Sequence, residues 1–375
     1  MKIAFLTYGN PLDRREWSGT IHSEYLQLSK YYNVEPIIVK LNPALLKIVR
    51  TKERIKYVIT KKTYIPIYSS QLMQKVAAKK LSARLSEFDL IFAAATSTVL
   101  PFIQTDKPII YMSDAVFDLM LDYYFFNLNN LNIKNGRMYE QYAVQKSAAS
   151  IFASDWAKRG AIKHYNANSE KCYVLPLGAN TDDMKRDKPK KLEKAINLLF
   201  IGADWKRKGG DLAVATLQEL NRRNTDHNYV LHVIGGKPDY RVSDPNVIFY
   251  GFLDKNKKDD KEKFYRILES SDLLLLPTVA ECAGIAFSEA AAMGLPVVTH
   301  ETGGISTYVH NELNGVTLPL SATAVDFADN IQHIVESQDK YSYFSSNAIS
   351  LSRTSLNWDK WGEQAKSIID NVMSI

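Results

Sequence analysis

Two glutamates eight positions apart, Glu281 and Glu289, frame the small-residue run Cys282-Ala-Gly-Ile-Ala-Phe-Ser288 in this 375-residue chain. The run follows an apolar strand pattern at Leu273–Leu276 and continues as Ala290-Ala-Ala-Met-Gly294-Leu-Pro296. Glu281 is thereby expected in a strand-end loop, and Gly284, Ile285 and Ala286 at a helix start whose free N–H groups can receive phosphate oxygens. Glu289 falls roughly one turn inside that helix. A carboxylate beside an anion site is costly unless it accepts hydrogen bonds from something polyhydroxylated, such as a ribose. Taken singly, each glutamate has a plainer reading. Glu281 suits the N-terminal end of any helix dipole, and Glu289 suits an exposed helix face.

A second pattern points the same way. The strand ending Phe200-Ile201-Gly202 leads into Ala203-Asp-Trp-Lys206-Arg207-Lys208-Gly209-Gly210 and then a helical segment. Three adjacent cations before a glycine pair, at a strand's carboxyl end, suit a diphosphate by charge and by charge-assisted hydrogen bonds. Near the N-terminus, Gly9-Asn-Pro and Trp17-Ser18-Gly19-Thr20 open a helix running toward Tyr31. Gly19 there lets backbone N–H groups approach an anion, although a tight turn alone also asks for glycine. Asp114, after Tyr111-Met112-Ser113, ends another strand and is either an orienting carboxylate or an ordinary helix N-cap.

These loops need strands and helices to hold them, and the chain alternates the two throughout. Expected strands in the first half are Lys2–Thr7, Val34–Lys40, Asp89–Ala94, Pro108–Ser113, Ser150–Ser154 and Cys172–Pro176. In the second half they are Ile196–Gly202, Tyr229–Gly235, Val247–Gly251, Asp272–Pro277 and Pro296–His300. Several are apolar throughout, as strands of a parallel sheet covered on both faces should be. Segments such as Asp211–Arg223 and Ser321–Ser337 are long enough for crossover helices. Single cores stop growing at roughly 250–300 residues, so two α/β domains are expected. The polar stretch Thr181–Lys194 reads as the linker.

Composition narrows the class. The chain is 46% apolar and 23% charged, ordinary for a globular protein. No apolar run approaches the roughly 18–20 residues that cross a bilayer, and the opening Lys2–Thr7 is too short for a secretory leader. Two cysteines, Cys172 and Cys282, cannot build a disulfide framework or a zinc site, and a packed thiol is the expectation for Cys282. His22, His164, His232 and His300 lie far apart and show no metal pairing. A cytoplasmic, reducing compartment is expected.

Charge is uneven. The chain carries 47 basic and 41 acidic residues, a net +6, yet residues 1–180 hold 24 basic against 14 acidic. Lys40–Arg84 alone holds 12 basic residues and one acid, Glu53, with Leu45, Ile48, Val49, Ile55, Val58 and Ile59 at roughly helical spacing. Such a segment suits an anionic membrane surface, with peripheral attachment at its inner face, or a polyanion, or is a solvated helix face over a core. Nucleic acid is not expected, since no helix-turn-helix, zinc or RNA-recognition pattern accompanies the charge.

These residues resemble the retaining glycosyltransferases of family 4, among the glycosyl transferases of group 1. Similar segments run along nearly the whole chain: WSGT, SDWAKRG at Ser154–Gly160, VLPLGAN at Val174–Asn180, FIGADWKRKGG, ECAGIAFSEAAAMGLPVV and Thr302-Gly303-Gly304. The resemblance implies the GT-B architecture, two facing Rossmann-like domains with an inter-domain cleft. Residues 1–180 would bind the acceptor, 181–194 would link, 195–353 would bind a nucleotide-sugar, and helix 354–375 would cross back to the first domain. It implies that Glu289 binds the ribose hydroxyls, Glu281 faces the transferred sugar, and the backbone at Gly284, Ile285 and Ala286 holds the distal phosphate. Lys208 would neutralise the diphosphate and Gly19 would close on it. In the commoner pattern an arginine follows the strand-end glycine, here Gly202. This chain has Ala203 there, leaving Arg207 to supply the second cation. Asp114 would orient the acceptor or the sugar.

The implied reaction is hexosyl transfer from a nucleotide-diphosphate sugar to a hydroxyl of a glycan, a lipid-linked acceptor or another glycoconjugate, with retention at the anomeric carbon. No metal or other cofactor is implied, and the chain has no Asp-x-Asp motif. The leaving phosphate would help deprotonate the acceptor, so no protein nucleophile is assigned. Two other readings stay open. A nucleotide-sugar epimerase or hydrolase would use Glu281 and Asp114 as acid and base. A non-catalytic partner subunit of a transferase would need none of these side chains.

Overall fold

The computed structural model describes residues 1–182, 184–223 and 226–374. Asp183 of the expected linker and Ile375 of the expected terminal helix lie outside the described residues. The chain forms two compact units, Met1–Leu175 with Gly362–Ile375, and Pro176–Trp361.

The first unit runs β1 (Lys2–Thr7), α1 (Thr20–Ser29), β2 (Asn33–Ile38), α2 (Pro43–Thr60), α3 (Gln71–Leu85), β3 (Leu90–Ala94), β4 (Ile109–Ser113), α4 (Phe117–Met120), α5 (Asn130–Lys146), β5 (Ala149–Phe152), α6 (Asp155–Tyr165) and β6 (Cys172–Val174). The strands pair in parallel in the order β2-β1-β3-β4-β5-β6. Ile3 stands opposite Val34 on one side and Leu90 on the other, which puts β1 in the sheet interior. Ile3 to Leu6 and Leu90 to Phe92 are wholly buried, the physical reason these strands read as unbroken apolar runs. Their core is completed by Ala77, Leu81 and Leu85 of α3 and Ala143 of α5.

The second unit runs β7 (Ala195–Gly202), α7 (Gly210–Arg222), β8 (Asn228–Gly235), β9 (Val247–Gly251), α8 (Lys258–Ser270), β10 (Leu273–Leu276), α9 (Ile285–Ala292), β11 (Val297–His300), β12 (Gly315–Leu318), α10 (Ala324–Val335), α11 (Gln338–Thr354) and the start of α12 (Trp358–Met373). Its parallel order is β12-β11-β10-β7-β8-β9. β7 and β10 lie at the centre, so the loops after them are neighbours; these carry the cations and Glu281.

Strand positions follow the sequence reading to within a few residues, and β12 is additional. Its Gly-Val-Thr-Leu is short and mixed, and as an edge strand it pairs on one side only. The segment expected to link the domains runs along the second unit. Arg186 N bonds Ala292 O at 2.8 Å, Lys190 Nζ pairs with the buried Asp272 at 2.8 Å, and Leu192 N bonds Gln338 Oε1 at 2.8 Å. Its polar composition serves those contacts. Within the first unit the end of α12 is tied by the Tyr32 hydroxyl, which donates to Asp370 Oδ1 at 2.6 Å.

Under β4, the buried Tyr111 hydroxyl donates to Glu140 Oε1 at 2.8 Å. Burial pushes the Glu140 carboxyl up to about 7, against hydrogen bonds from Tyr111 and Ser97 that pull it down. Between the unfolded value of 4.5 and about 7 the native state therefore holds a proton that the unfolded chain has lost. Stability contributed here falls as pH rises through that window. Glu140→Gln removes the dependence, so the stability difference between wild type and variant is expected to change by about 3 kcal/mol between pH 4.5 and 7.5, read by denaturant unfolding.

Candidate functional site

Lys206, Arg207 and Lys208 are equivalent in the sequence, and the turn that carries them is not. After β7 the backbone folds back on itself, with Lys208 N bonding Asp204 O at 3.0 Å and Gly210 N bonding Trp205 O at 2.9 Å. Trp205 is buried against Phe200 and Phe249, anchoring the turn. Lys206 is left exposed, while Arg207 and Lys208 turn inward. The Lys208 stem lies against Gly202, where an added Cβ would meet its Cγ at 2.5 Å. Gly209 has φ +77° and an added Cβ there would sit 2.0 Å from the Pro277 carbonyl oxygen. Only glycine lets the two strand-end loops come this close.

The loops are also stitched by hydrogen bonds. Val279 N donates to Arg207 O at 2.9 Å, and the Thr278 hydroxyl donates to the same oxygen at 3.1 Å. Arg207 Nη1 donates to Ala280 O at 2.9 Å and lies 3.8 Å from Glu281 Oε2. Lys208 Nζ forms a direct ion pair with the same Glu281 oxygen. Gly304 N holds the Glu281 carbonyl at 3.0 Å, joining the Thr302-Gly303-Gly304 turn to the site. Lys208 and Glu281 are both buried, so their charges act on one another in a medium that screens weakly.

Gly284, at φ +81°, is the N-cap of α9, and no side chain caps the helix. The backbone at Ile285 and Ala286 thus begins the helix as the spacing predicts, presenting a positive dipole end beside Glu281. Glu289 is not an exposed helix residue. It is 2% exposed, and burial raises its carboxyl above the ordinary value while Lys255 opposes the rise. Lys255 Nζ pairs with Glu289 Oε1, lies 3.4 Å from Asn180 O, and sits 4.0 Å from the centre of the Phe264 ring. The sequence reading missed Lys255. It is the first lysine of KNKKDDKEK, and nothing in that run distinguishes it.

The first unit holds the other named residues. Trp17, Ser18 and Gly19 are three consecutive residues at positive φ (46°, 56° and 87°), leading into α1. The Trp17 indole Nε1 donates to Asp114 Oδ2 at 3.2 Å. The N-cap of α4 is Val116, so Asp114 does not serve as that cap. Glu24 of α1 is wholly buried, and burial together with the charge of Asp114 pushes its carboxyl well above the usual range. Neither Glu24 oxygen has a hydrogen-bond partner among the described residues.

The histidines are packed or peripheral. His232 bonds Asn197 and Tyr250 at 3.0 and 2.8 Å, His22 bonds Pro11 O at 2.8 Å, and His164 is exposed. His300 bonds Thr278 O at 3.2 Å with its ring edge to Phe327. Cys172 and Cys282 are buried thiols not joined in a disulfide.

Residues 195–337 match the family model described as Glycosyl transferases group 1. Over 216 residues the chain is 28% identical to the lipopolysaccharide glucosyltransferase WaaG of Escherichia coli (strain K12), covering 48% of this chain and 55% of that protein. Over 259 residues it is 24% identical to a D-inositol 3-phosphate glycosyltransferase of Corynebacterium aurimucosum, covering 64% and 60%. The chain thus spans less than two thirds of these relatives' length. Among solved structures it resembles sucrose-phosphate synthase from Thermosynechococcus elongatus, with TM-score 0.71, 16% identity and coverage of 100% and 99%. It also resembles the Anabaena protein HepE in complex with UDP-glucose, with TM-score 0.67, 17% identity and full coverage of both chains. With its two six-stranded parallel sheets, the chain has the two-domain Rossmann-like GT-B fold.

Removing Lys255 leaves Glu289 buried without its counter-charge. Lys255→Met is expected to lower stability by roughly 3 kcal/mol at pH 7.5. The loss shrinks toward pH 4.5, because the buried carboxyl, raised above its ordinary value, takes up a proton and no longer needs the counter-charge, and Lys255→Met with Glu289→Gln recovers most of it. Denaturant titrations at the two pH values check both points.

Proposed function

We propose that this chain is a retaining glycosyltransferase that moves a hexosyl group from a nucleotide-diphosphate sugar to a hydroxyl of a glycan, lipid-linked or glycoconjugate acceptor, without a metal. The observation that carries the reading is the convergence of Lys208 and Arg207 on Glu281 at the uncapped start of α9, with Glu289 buried further along the same helix. The group 1 match over residues 195–337, which contains all of these residues, supports it. So do the glycosyltransferases among its relatives.

In this reading the bond between the anomeric carbon and the phosphate oxygen breaks, the sugar gains cationic character and the leaving diphosphate gains charge. Lys208, Arg207 and the N–H groups at Gly284, Ile285 and Ala286 stabilise that charge in a preformed, partly dehydrated setting. Glu281, paired with Lys208, accepts hydrogen bonds from the transferred sugar. Glu289 accepts from the ribose diol. Gly202 lets the Lys208 stem pass. The departing phosphate oxygen takes the acceptor proton as the acceptor attacks from the same face, so retention needs no protein nucleophile. In the first unit, Gly19 and Asp114 act on donor and acceptor. HepE has been crystallised with UDP-glucose, which makes uridine diphosphate the first nucleotide to try.

Thermal-shift and calorimetric titrations with UDP, GDP, ADP and dTDP, in chelator, test the donor site. One nucleotide is expected to stabilise the wild-type protein, by about 2.7 kcal/mol at a hundredfold excess over its Kd. Lys208→Gln should weaken the diphosphate about 10–100-fold and leave the bare nucleoside nearly unchanged. Glu289→Gln should weaken both by similar factors. A folded protein that binds none of the four would overturn the reading.

A further inference from the structure

We propose that α2 is a docking element for an anionic lipid bilayer, lying flat in the head-group region with an isoleucine stripe toward the acyl chains. The inference stands on the first unit alone and goes beyond the transfer reaction.

α2 is an 18-residue helix, begun by Pro43 and capped by Asn42, whose Oδ1 accepts from Ala44 N and Leu45 N at 3.0 and 3.2 Å. Helices over a core turn their apolar side inward. Here the one fully buried residue is Glu53, which accepts from Lys56 Nζ at 2.9 Å and Asn129 Nδ2 at 3.0 Å. Ile48, Ile55, Val58 and Ile59 face outward, exposed by 62, 59, 67 and 76%. Ile48, Ile55 and Ile59 fall within about 40° on the helix circumference, in one stripe with Val58 beside it. Lys47, Arg50, Lys52 and Arg54 are exposed around that stripe, and none of the four forms an ion pair among the described residues. Lys61 and Lys62 extend the charge past the helix end.

With Glu53 and half-buried Leu46 and Val49 inside, the outward isoleucines form a contiguous aliphatic stripe in water, rimmed by cations, the kind of exposed patch that marks an interaction surface. Charge complementarity selects the occupant. A second copy of α2 would bring cations against cations. A nucleic-acid backbone would satisfy the cations and leave the isoleucines wet. An anionic bilayer interface takes both, head groups against the lysines and arginines and acyl chains against the isoleucines. No helix of the described residues is long and apolar enough to cross a membrane, so α2 lies on the surface.

The test is co-sedimentation of the full chain with vesicles of mixed phosphatidylglycerol and phosphatidylcholine, and with vesicles of phosphatidylcholine alone. Binding is expected to the mixed vesicles only, weakening at least ~10-fold between low and high salt. Replacing Lys47, Arg50, Lys52 and Arg54 by Gln should lower affinity about 100-fold. Ile48→Ser, Ile55→Ser and Ile59→Ser together should lower it at least ~10-fold with unfolding unchanged, because these side chains are exposed. Nucleotide binding by both variants should match the wild type, which separates this inference from the donor site. Absence of binding at low salt, equal binding to neutral vesicles, or indifference to both variants would each overturn it. So would a dimer that the serine variant dissolves in a protein that ignores vesicles, since that assigns the stripe to a second copy.

Discussion

Glu281 is buried at the mouth of α9 because Lys208 lies against it and Arg207 stands 3.8 Å away, and the loops around it exist to keep these three charges together. Losing one partner of such a pair typically costs 3–5 kcal/mol, since the other is left charged and dehydrated. The surrounding backbone supplies the restraint. Thr278, Val279 and Ala280 bond the Arg207 carbonyl and guanidinium, Gly304 holds the Glu281 carbonyl, and Gly209 allows the close approach of Pro277. The result is a fixed charge arrangement at an open helix dipole, which is what stabilising a leaving anion requires.

The molecule handles its other buried carboxyls differently, and the differences track chemistry. Glu289 has a lysine of its own, which opposes the rise that burial imposes on its carboxyl. Glu140 has Tyr111 and Ser97, whose hydroxyls accommodate either protonation state. Glu24 has no hydrogen-bond partner among the described residues, and burial together with the charge of Asp114 pushes its carboxyl well above the usual range. Three buried glutamates pair with lysines, Glu53 of α2 with Lys56, Glu281 just before α9 with Lys208, and Glu289 within α9 with Lys255.

α2 inverts the usual order. Its polar contact points inward, through Glu53 to Lys56 and Asn129, and its isoleucines point out. Half-buried Leu46 and Val49 share the inner side with that buried carboxylate, and Asn42 caps the helix start. A proline at the first turn and the Asn42 cap favour its start. Its outer surface is released from serving the core.

The strands were legible because parallel strands buried on both faces must be apolar, and β3, β10 and the buried centres of β1 (Ile3–Leu6) and β7 (Leu198–Phe200) are. The loops were legible because an anion site needs cations, glycines and helix starts at strand ends. Residue type and order alone therefore determined the α/β class, the two-domain organisation and the candidates Lys208, Glu281, Gly284 and Glu289. The sequence could not sort Lys206 from Lys208, because adjacent lysines have the same chemistry and only the turn anchored by Trp205 sends one outward and one inward. Nor could it single out Lys255, which lies 34 positions from Glu289 in a lysine-rich run. Amphipathic spacing in α2 announced a helix with two faces and left open which of them meets the core. Partnership across loops and the facing of a helix depend on three-dimensional distance and burial, and these exist only once the chain has folded.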